Sequence, residues 1–175
     1  MRDLYLIGFI AVVAVALGTF LFFFGPSSLR SEVNQALVST TGTNTVHYTV
    51  LAQGTKAVGV SARTNYRIQN TNDLEALWAL VYGYNDTPAA PTVDFSQDEV
   101  IAVFDGSNPT TGYSINVSSI TDSQGKRLVL INHDSPDQTC KVKNTATDPF
   151  EILVVPKTNL TLAHQDQMGT APCTP

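Results

Sequence analysis

Residues 100–117 most constrain the fold, because two strand-like apolar runs flank a short turn in the sequence VIAVFDGSNPTTGYSINV. In the second run, Tyr113, Ile115 and Val117 alternate with polar side chains, which is the period of a half-buried strand. Between the runs, Pro109 fixes φ and Gly112 accepts a positive φ, so both favour chain reversal. The segment predicts a β-rich fold that reverses direction here.

The turn carries more side-chain chemistry than a reversal requires. Thr110 and Thr111 are β-branched, so they stiffen the tip while presenting hydroxyl groups. One interpretation is a rigid contact loop for another protein, and the other is a hairpin whose hydroxyls only cap the local backbone. The candidate binding residues are Ser107, Asn108, Pro109, Thr110, Thr111, Gly112 and Tyr113, with Pro149 and Phe150 as a neighbouring segment.

Short β-type segments dominate the rest of the chain after residue 45. They cover residues 46–51, 58–68, 99–104, 113–120, 127–132, 141–144 and 150–155. One amphipathic helix is predicted over residues 72–83, capped by Asn72 with Glu75 three positions on, and its Trp78 is expected in the core. The predicted fold class is mainly β (α+β): an antiparallel sandwich or barrel-like domain with one packed helix. Antiparallel pairing is expected because parallel crossovers would need more helices than the sequence offers.

Residues 4–24 contain no charged side chain. A helix of this length reaches roughly the 30 Å of a bilayer core. Because the run is longer than a secretory signal and lacks its cleavage site, we favour an uncleaved single-pass anchor over a cleaved signal. The predicted organisation is a transmembrane helix (residues 1–25), a juxtamembrane stalk and linker (26–45) and an extracytoplasmic β domain (46–175).

Cys140 and Cys173 are the only two cysteines in the chain. An even pair beyond a membrane anchor suits an oxidising compartment, so we predict a disulfide between them. Such a bridge would contribute roughly 3–4 kcal/mol in the chain-entropy model. The alternative is two unrelated thiols.

Catalytic and metal-binding patterns do not emerge from the sequence. The three histidines, His47, His133 and His164, are far apart and lack ligand spacing, and neither a nucleophile elbow nor a P-loop is present. We therefore expect no enzyme activity, cofactor or metal. The net charge of −5 without a basic cluster argues against nucleic acid as a partner.

The order of several motifs resembles the C-terminal domain of the protease-complex subunit PrcB. The shared features are Leu77-Trp78 on the predicted helix, Gly106, the P-T-T-G-Y turn at 109–113 and P-F-E-I-L-V-V-P-K at 149–157. Thr111 stands where that family usually has glycine. The resemblance covers roughly residues 67–157 and implies a non-catalytic cell-envelope domain that associates with a protease and supports it.

The N-P-T-T-G-Y segment at 108–113 also resembles one loop of chagasin-type cysteine-protease inhibitors. In those inhibitors, three loops of an immunoglobulin-like sandwich enter the protease cleft. Here the second loop would be D-P-F at 148–150, and the third is missing. An inhibitor is therefore the alternative function, and a structural envelope protein is a second alternative.

Overall fold

The structure, a computed structural model, describes residues 43–84 and 87–173. The predicted anchor at residues 4–24 and nearly all of the predicted stalk and linker lie outside these ranges. Within them, no helix is both long and apolar enough to cross a membrane.

Eight strands form two four-stranded sheets. The strands are β1 (Asn44–Thr45), β2 (Thr49–Gly54), β3 (Thr64–Ile68), β4 (Asp98–Phe104), β5 (Ser114–Ser123), β6 (Lys126–Pro136), β7 (Phe150–Pro156) and β8 (Thr161–Ala171). The first sheet has the order β1-β5-β6-β8 and the second the order β2-β7-β4-β3. The mainly β, largely antiparallel character with one helix is as predicted.

The single described helix, α1 (Thr71–Tyr82), lies against the second sheet. Its N-cap is Asn70 and not the predicted Asn72. The Asn70 side chain accepts a hydrogen bond from the Asp73 backbone N–H at 2.9 Å and donates one to the Asp73 carboxylate at 2.7 Å. The cap lies two residues before the predicted one, and the Asp73 carboxylate binds the Asn70 side chain, whereas in a capping box it would bind the N-cap backbone N–H. Trp78 is buried on the inner face of the helix, as expected.

Two apolar clusters form the core. One lies between α1 and the second sheet and includes Trp78, Phe104 and Phe150. The other lies between the two sheets and includes Ile101 and Ile131. The alternation along β4 explains this division, because successive side chains of a strand point to opposite faces. The described part therefore has three layers, a helix and two sheets.

The turn at residues 105–113 does not close a hairpin. Its flanking strands belong to different sheets, because β4 pairs with β3 on one side and β7 on the other, while β5 pairs with β1 and β6. The segment instead carries the chain from one sheet to the other. Local turn chemistry specifies the reversal, but the burial of β4 on both faces decides its partners.

One strand pair departs from the antiparallel prediction, since β6 and β8 pair in parallel. No helical crossover is needed, because the connection between them passes through β7 in the other sheet. The predicted strand at 141–144 is a loop, and β8 was not predicted at all. Residues 44 and 45, assigned to the linker by the sequence, form β1.

A bulge interrupts β5 between Val117 and Ser119. Two buried or half-buried side chains satisfy its backbone groups: Glu151 accepts a hydrogen bond from the Val117 N–H at 2.6 Å, and the Tyr48 hydroxyl donates one to the Val117 carbonyl at 2.6 Å. Burial raises the pKa of Glu151, and the bond from Val117 offsets part of that rise. Burial, followed by the Glu151 charge, raises the pKa of Tyr48.

Candidate functional site

The candidate contact loop comprises residues 107–113 and packs against the segment 141–148. Asn108 and Thr147 exchange two backbone hydrogen bonds of 2.8 and 3.0 Å. Further along, the Thr111 N–H donates to the Lys143 carbonyl at 3.1 Å. The connection from β4 to β5 is therefore held along its length by a second loop.

The two threonines at the tip have different environments. The Thr111 hydroxyl accepts a hydrogen bond from the Lys143 backbone N–H at 3.0 Å, so this hydroxyl supports the local backbone. Thr110 uses its backbone carbonyl, which accepts from the Thr147 hydroxyl at 2.9 Å. Among the described residues, the Thr110 hydroxyl has no hydrogen-bond partner. Of the two hydroxyls, that of Thr110 is free to contact another molecule.

The base of the loop rests on a buried carboxylate, Asp105, which is 8% exposed. Asn108 donates to one of its oxygens at 2.7 Å. Arg63 donates to the other at 2.9 Å, and His133 Nδ1 lies 2.7 Å from the same oxygen. Three donors thus surround Asp105 and fix the position of the loop relative to β6.

Gly106 is required where the chain leaves β4. Its φ is +81°, and a Cβ atom there would lie 2.8 Å from the backbone nitrogen of Arg63. Both the left-handed conformation and the close approach of two backbones exclude a side chain.

Most of the predicted site residues lie together, but not all are accessible. Ser107, Pro109 and Gly112 are exposed, whereas Asn108, Thr110, Thr111 and Tyr113 are half-buried. Pro149 and Phe150 are buried, and Phe150 packs in the core beside the helix. The Pro149 carbonyl accepts from the Asp105 N–H at 3.0 Å, so this segment supports the loop from beneath and presents no contact surface.

A groove of about 700 Å³ lies beside the loop. It is lined by Thr111 and Tyr113 on one side and by Cys140 and Cys173 on the other. The Sγ atoms of the two cysteines are 2.14 Å apart, which is compatible with the predicted disulfide. The cysteine pair thereby fastens the end of the chain next to the loop.

The structure also brings together two histidines that sequence spacing kept apart. His133 and His164 face the same carboxylate oxygen of Asp166, at 3.5 and 3.0 Å. Burial tends to raise the pKa of Asp166, but the hydrogen bond from His164 and the electrostatic interaction with the two imidazole rings lower it below its ordinary value. The pairing arises from the parallel register of β6 and β8, which no local pattern encodes.

Within residues 43–84 and 87–173, no group of three or more His, Cys, Asp or Glu side chains is arranged to hold a metal ion.

The segment from β4 through the loop to the end of β7 is also the part of the chain that matches a known protein family. Residues 100–156 match the PrcB C-terminal family. The predicted resemblance to PrcB is confirmed for this segment, which is about a third of the chain and leaves out the helix with Leu77 and Trp78. The matched segment contains the whole candidate loop and the buried Asp105 beneath it. No curated protein and no solved structure matches the chain significantly.

Proposed function

We propose that this protein is a non-catalytic accessory partner of a cell-envelope protease, and that the exposed edge of the loop at residues 107–113 contacts that protease. The match of residues 100–156 to the PrcB C-terminal family supports the class of partner. The contact residues are Ser107, Pro109, Thr110 and Gly112, with the half-buried Tyr113 bordering the adjacent groove.

The observation that carries the proposal is that the loop is ordered by its own framework while its outer edge stays exposed. Hydrogen bonds to Lys143, Thr147 and Asp105 hold the backbone before any partner arrives. Binding then costs little conformational entropy, which is how preorganised loops gain affinity. The hydroxyl of Thr110, which has no hydrogen-bond partner among the described residues, is available for a polar contact with the protease.

We further propose that residues 4–24 anchor the protein in the membrane and that the β domain lies on the extracytoplasmic side. The charge-free run of 21 residues supports the anchor. The cysteine pair, whose geometry is compatible with a disulfide, supports an oxidising compartment.

Site-specific photo-crosslinking in the native envelope tests the contact. A photoreactive residue at Pro109 is expected to form an adduct with a protease that mass spectrometry identifies. The matched control is Lys126, which is also exposed but follows the β5–β6 turn at the opposite end of β5. Equal labelling from both positions, or adducts with non-proteases only, would contradict the proposal.

Two threonine variants separate contact from support. Thr110→Val keeps the β-branched shape and removes the free hydroxyl, so it should weaken the adduct yield with little change in Tm. Thr111→Val removes the acceptor for the Lys143 N–H and should lower Tm. If Thr110→Val lowers Tm as much as Thr111→Val, the loop is structural.

In the inhibitor alternative, Pro149 and Phe150 would form the second contact loop, but both side chains are buried. An activity assay of papain with the purified protein at micromolar concentration distinguishes it: inhibition would replace the accessory role by an inhibitory one. If neither crosslinking to a protease nor inhibition is observed, the structural envelope alternative stands.

A further inference from the structure

A second cavity, separate from the groove beside the loop, opens between the two sheets at their β3 and β8 side. Its volume is about 420 Å³, within the range of small-molecule sites in proteins. The inner surface is apolar and is formed by Ile101 and Val103 of β4, Val129 and Ile131 of β6, and Leu162 of β8.

Polar groups of β3, β6 and β8 also line the cavity, among them Thr64, His133 and Asp166. His133 is 5% exposed, and its Nε2 atom is buried without a hydrogen-bond partner among the described residues. The nearest acceptor is a carboxylate oxygen of Asp166, 3.5 Å away, which is too long for a strong hydrogen bond. Buried polar atoms without partners are uncommon in folded proteins, so this nitrogen indicates a missing ligand group.

The partner of Nδ1 determines what Nε2 can do. Asp105 receives hydrogen bonds from Arg63 and Asn108, so it acts as a carboxylate acceptor. His133 Nδ1 must therefore carry its proton towards Asp105 at 2.7 Å. In a neutral imidazole, Nε2 is then an acceptor, and it faces a second acceptor on Asp166.

We propose that this cavity binds a compact apolar ligand that carries a hydrogen-bond donor, either a hydroxyl or a primary ammonium group. The donor binds His133 Nε2 and reaches Asp166, and the apolar body fills the space between Val103, Ile131 and Leu162. Asp166 lines the cavity, and Arg63, which also lines it, already binds Asp105, so an anionic head group is disfavoured. The proposal is independent of the partner bound by the loop.

The test uses the full chain in lipid nanodiscs, with methyl-labelled Ile, Leu and Val observed by NMR. Cyclohexanol and cyclohexylamine supply the donor, and cyclohexanone has the same ring with an acceptor only. We expect the alcohol or the amine to shift the methyl signals of Val103, Ile131 and Leu162 and to bind about fivefold more tightly than the ketone. The methyl groups of Val100 and Ile152, which face the helix, serve as internal controls and should not move.

Variants separate the hydrogen bond from the cavity. His133→Asn keeps a donor for Asp105 and lacks the distal acceptor, so the preference over the ketone should disappear. His164→Asn, at the exposed rim, is the matched control and should keep it. Leu162→Trp fills the cavity and should abolish binding of all three compounds, whether or not the His133 variant folds.

The two donor compounds distinguish the two head groups, since binding of one alone would identify the class. Tighter binding of cyclohexanone would mean that Nε2 is a donor and would overturn the proposal. Absence of methyl shifts at Val103, Ile131 and Leu162 with all three compounds would also overturn it.

Discussion

At the scale of single residues, two positions are unfavourable in isolation and are stabilised by their neighbours. Gly106 combines a positive φ with contact between two backbones, and Glu151 places a carboxylate inside the sandwich. The backbone conformation of Gly106 lets the chain pass from one sheet to the other. The buried Glu151 provides the hydrogen-bond acceptor for Val117 at the bulge in β5.

Gly106→Ala should destabilise the protein more than Gly125→Ala. Both glycines have a positive φ, +81° and +77°, so each alanine incurs strain of roughly 1–2 kcal/mol. Only at Gly106 does the new Cβ meet a backbone atom, at 2.8 Å, while at Gly125 the space is open. Urea denaturation of both variants measures the difference, and equal losses would show that the close approach relaxes freely.

Glu151 should make stability depend on pH in the opposite sense to a carboxylate whose pKa is lowered on folding. Its pKa is raised in the folded state above the ordinary 4.5, so its contribution is fully present below that value. The contribution is lost as the pH rises through the folded-state pKa. Glu151→Gln keeps an acceptor for the Val117 N–H and removes the titration. The free energy of unfolding of the wild type should therefore fall relative to that of the variant as the pH rises from about 4. Parallel stability curves for the two proteins would contradict this assignment.

At the scale of elements, the beginning of α1 shows how a cap is chosen. Both Asn70 and Asn72 are suitable residue types, but only Asn70 adopts the extended backbone, with φ of −152°, that an N-cap needs. The Asp73 carboxylate then accepts a hydrogen bond from the Asn70 side-chain amide.

Asn70→Ala should cost about 1 kcal/mol of stability, because it leaves the Asp73 N–H without its acceptor. Asn72→Ala is the matched control at an exposed position inside the helix and should be nearly neutral. Thermal unfolding followed by circular dichroism measures both. A larger loss for Asn72→Ala would restore the cap predicted from the sequence.

At the scale of the whole molecule, one buried ion cluster joins the two sheets. Glu99 of β4 is fully buried between Arg67 of β3 at 2.8 Å and Arg127 of β6 at 3.3 Å. Arg127 also binds both oxygens of Asp122, the main reason that its pKa is raised despite burial, with the charge of Glu99 adding to the effect. Four strands, β3 and β4 of one sheet and β5 and β6 of the other, thus share one set of charges.

Glu99→Ala should destabilise the protein by about 3–5 kcal/mol, since it leaves the buried Arg127 without one of its partners. Glu75→Ala, an exposed glutamate on α1, is the control and should change stability little. Equilibrium unfolding in urea measures both variants. A loss below about 1 kcal/mol for Glu99→Ala would mean that the cluster contributes no more than a surface ion pair.

Features that depend on neighbouring residues could be predicted from the sequence. Short apolar runs indicated β4, β6 and β7, and period-two alternation indicated β5. The helical stripe indicated α1 and placed Trp78 in the core, and motif order indicated the PrcB-like segment. These signals are local because side-chain direction along a strand or helix repeats within a few residues.

The pairing of the strands and the contacts between distant side chains became apparent only in the folded chain. The reversal at residues 105–113 is the same local turn whether it closes a hairpin or joins two sheets, and pairing of β4 on both edges selects the second. β8 gave no apolar alternation because most of it is exposed, and its parallel register brings His164 and Asp166 beside His133. Such contacts depend on the burial of distant segments against one another, a property that no short stretch of sequence contains.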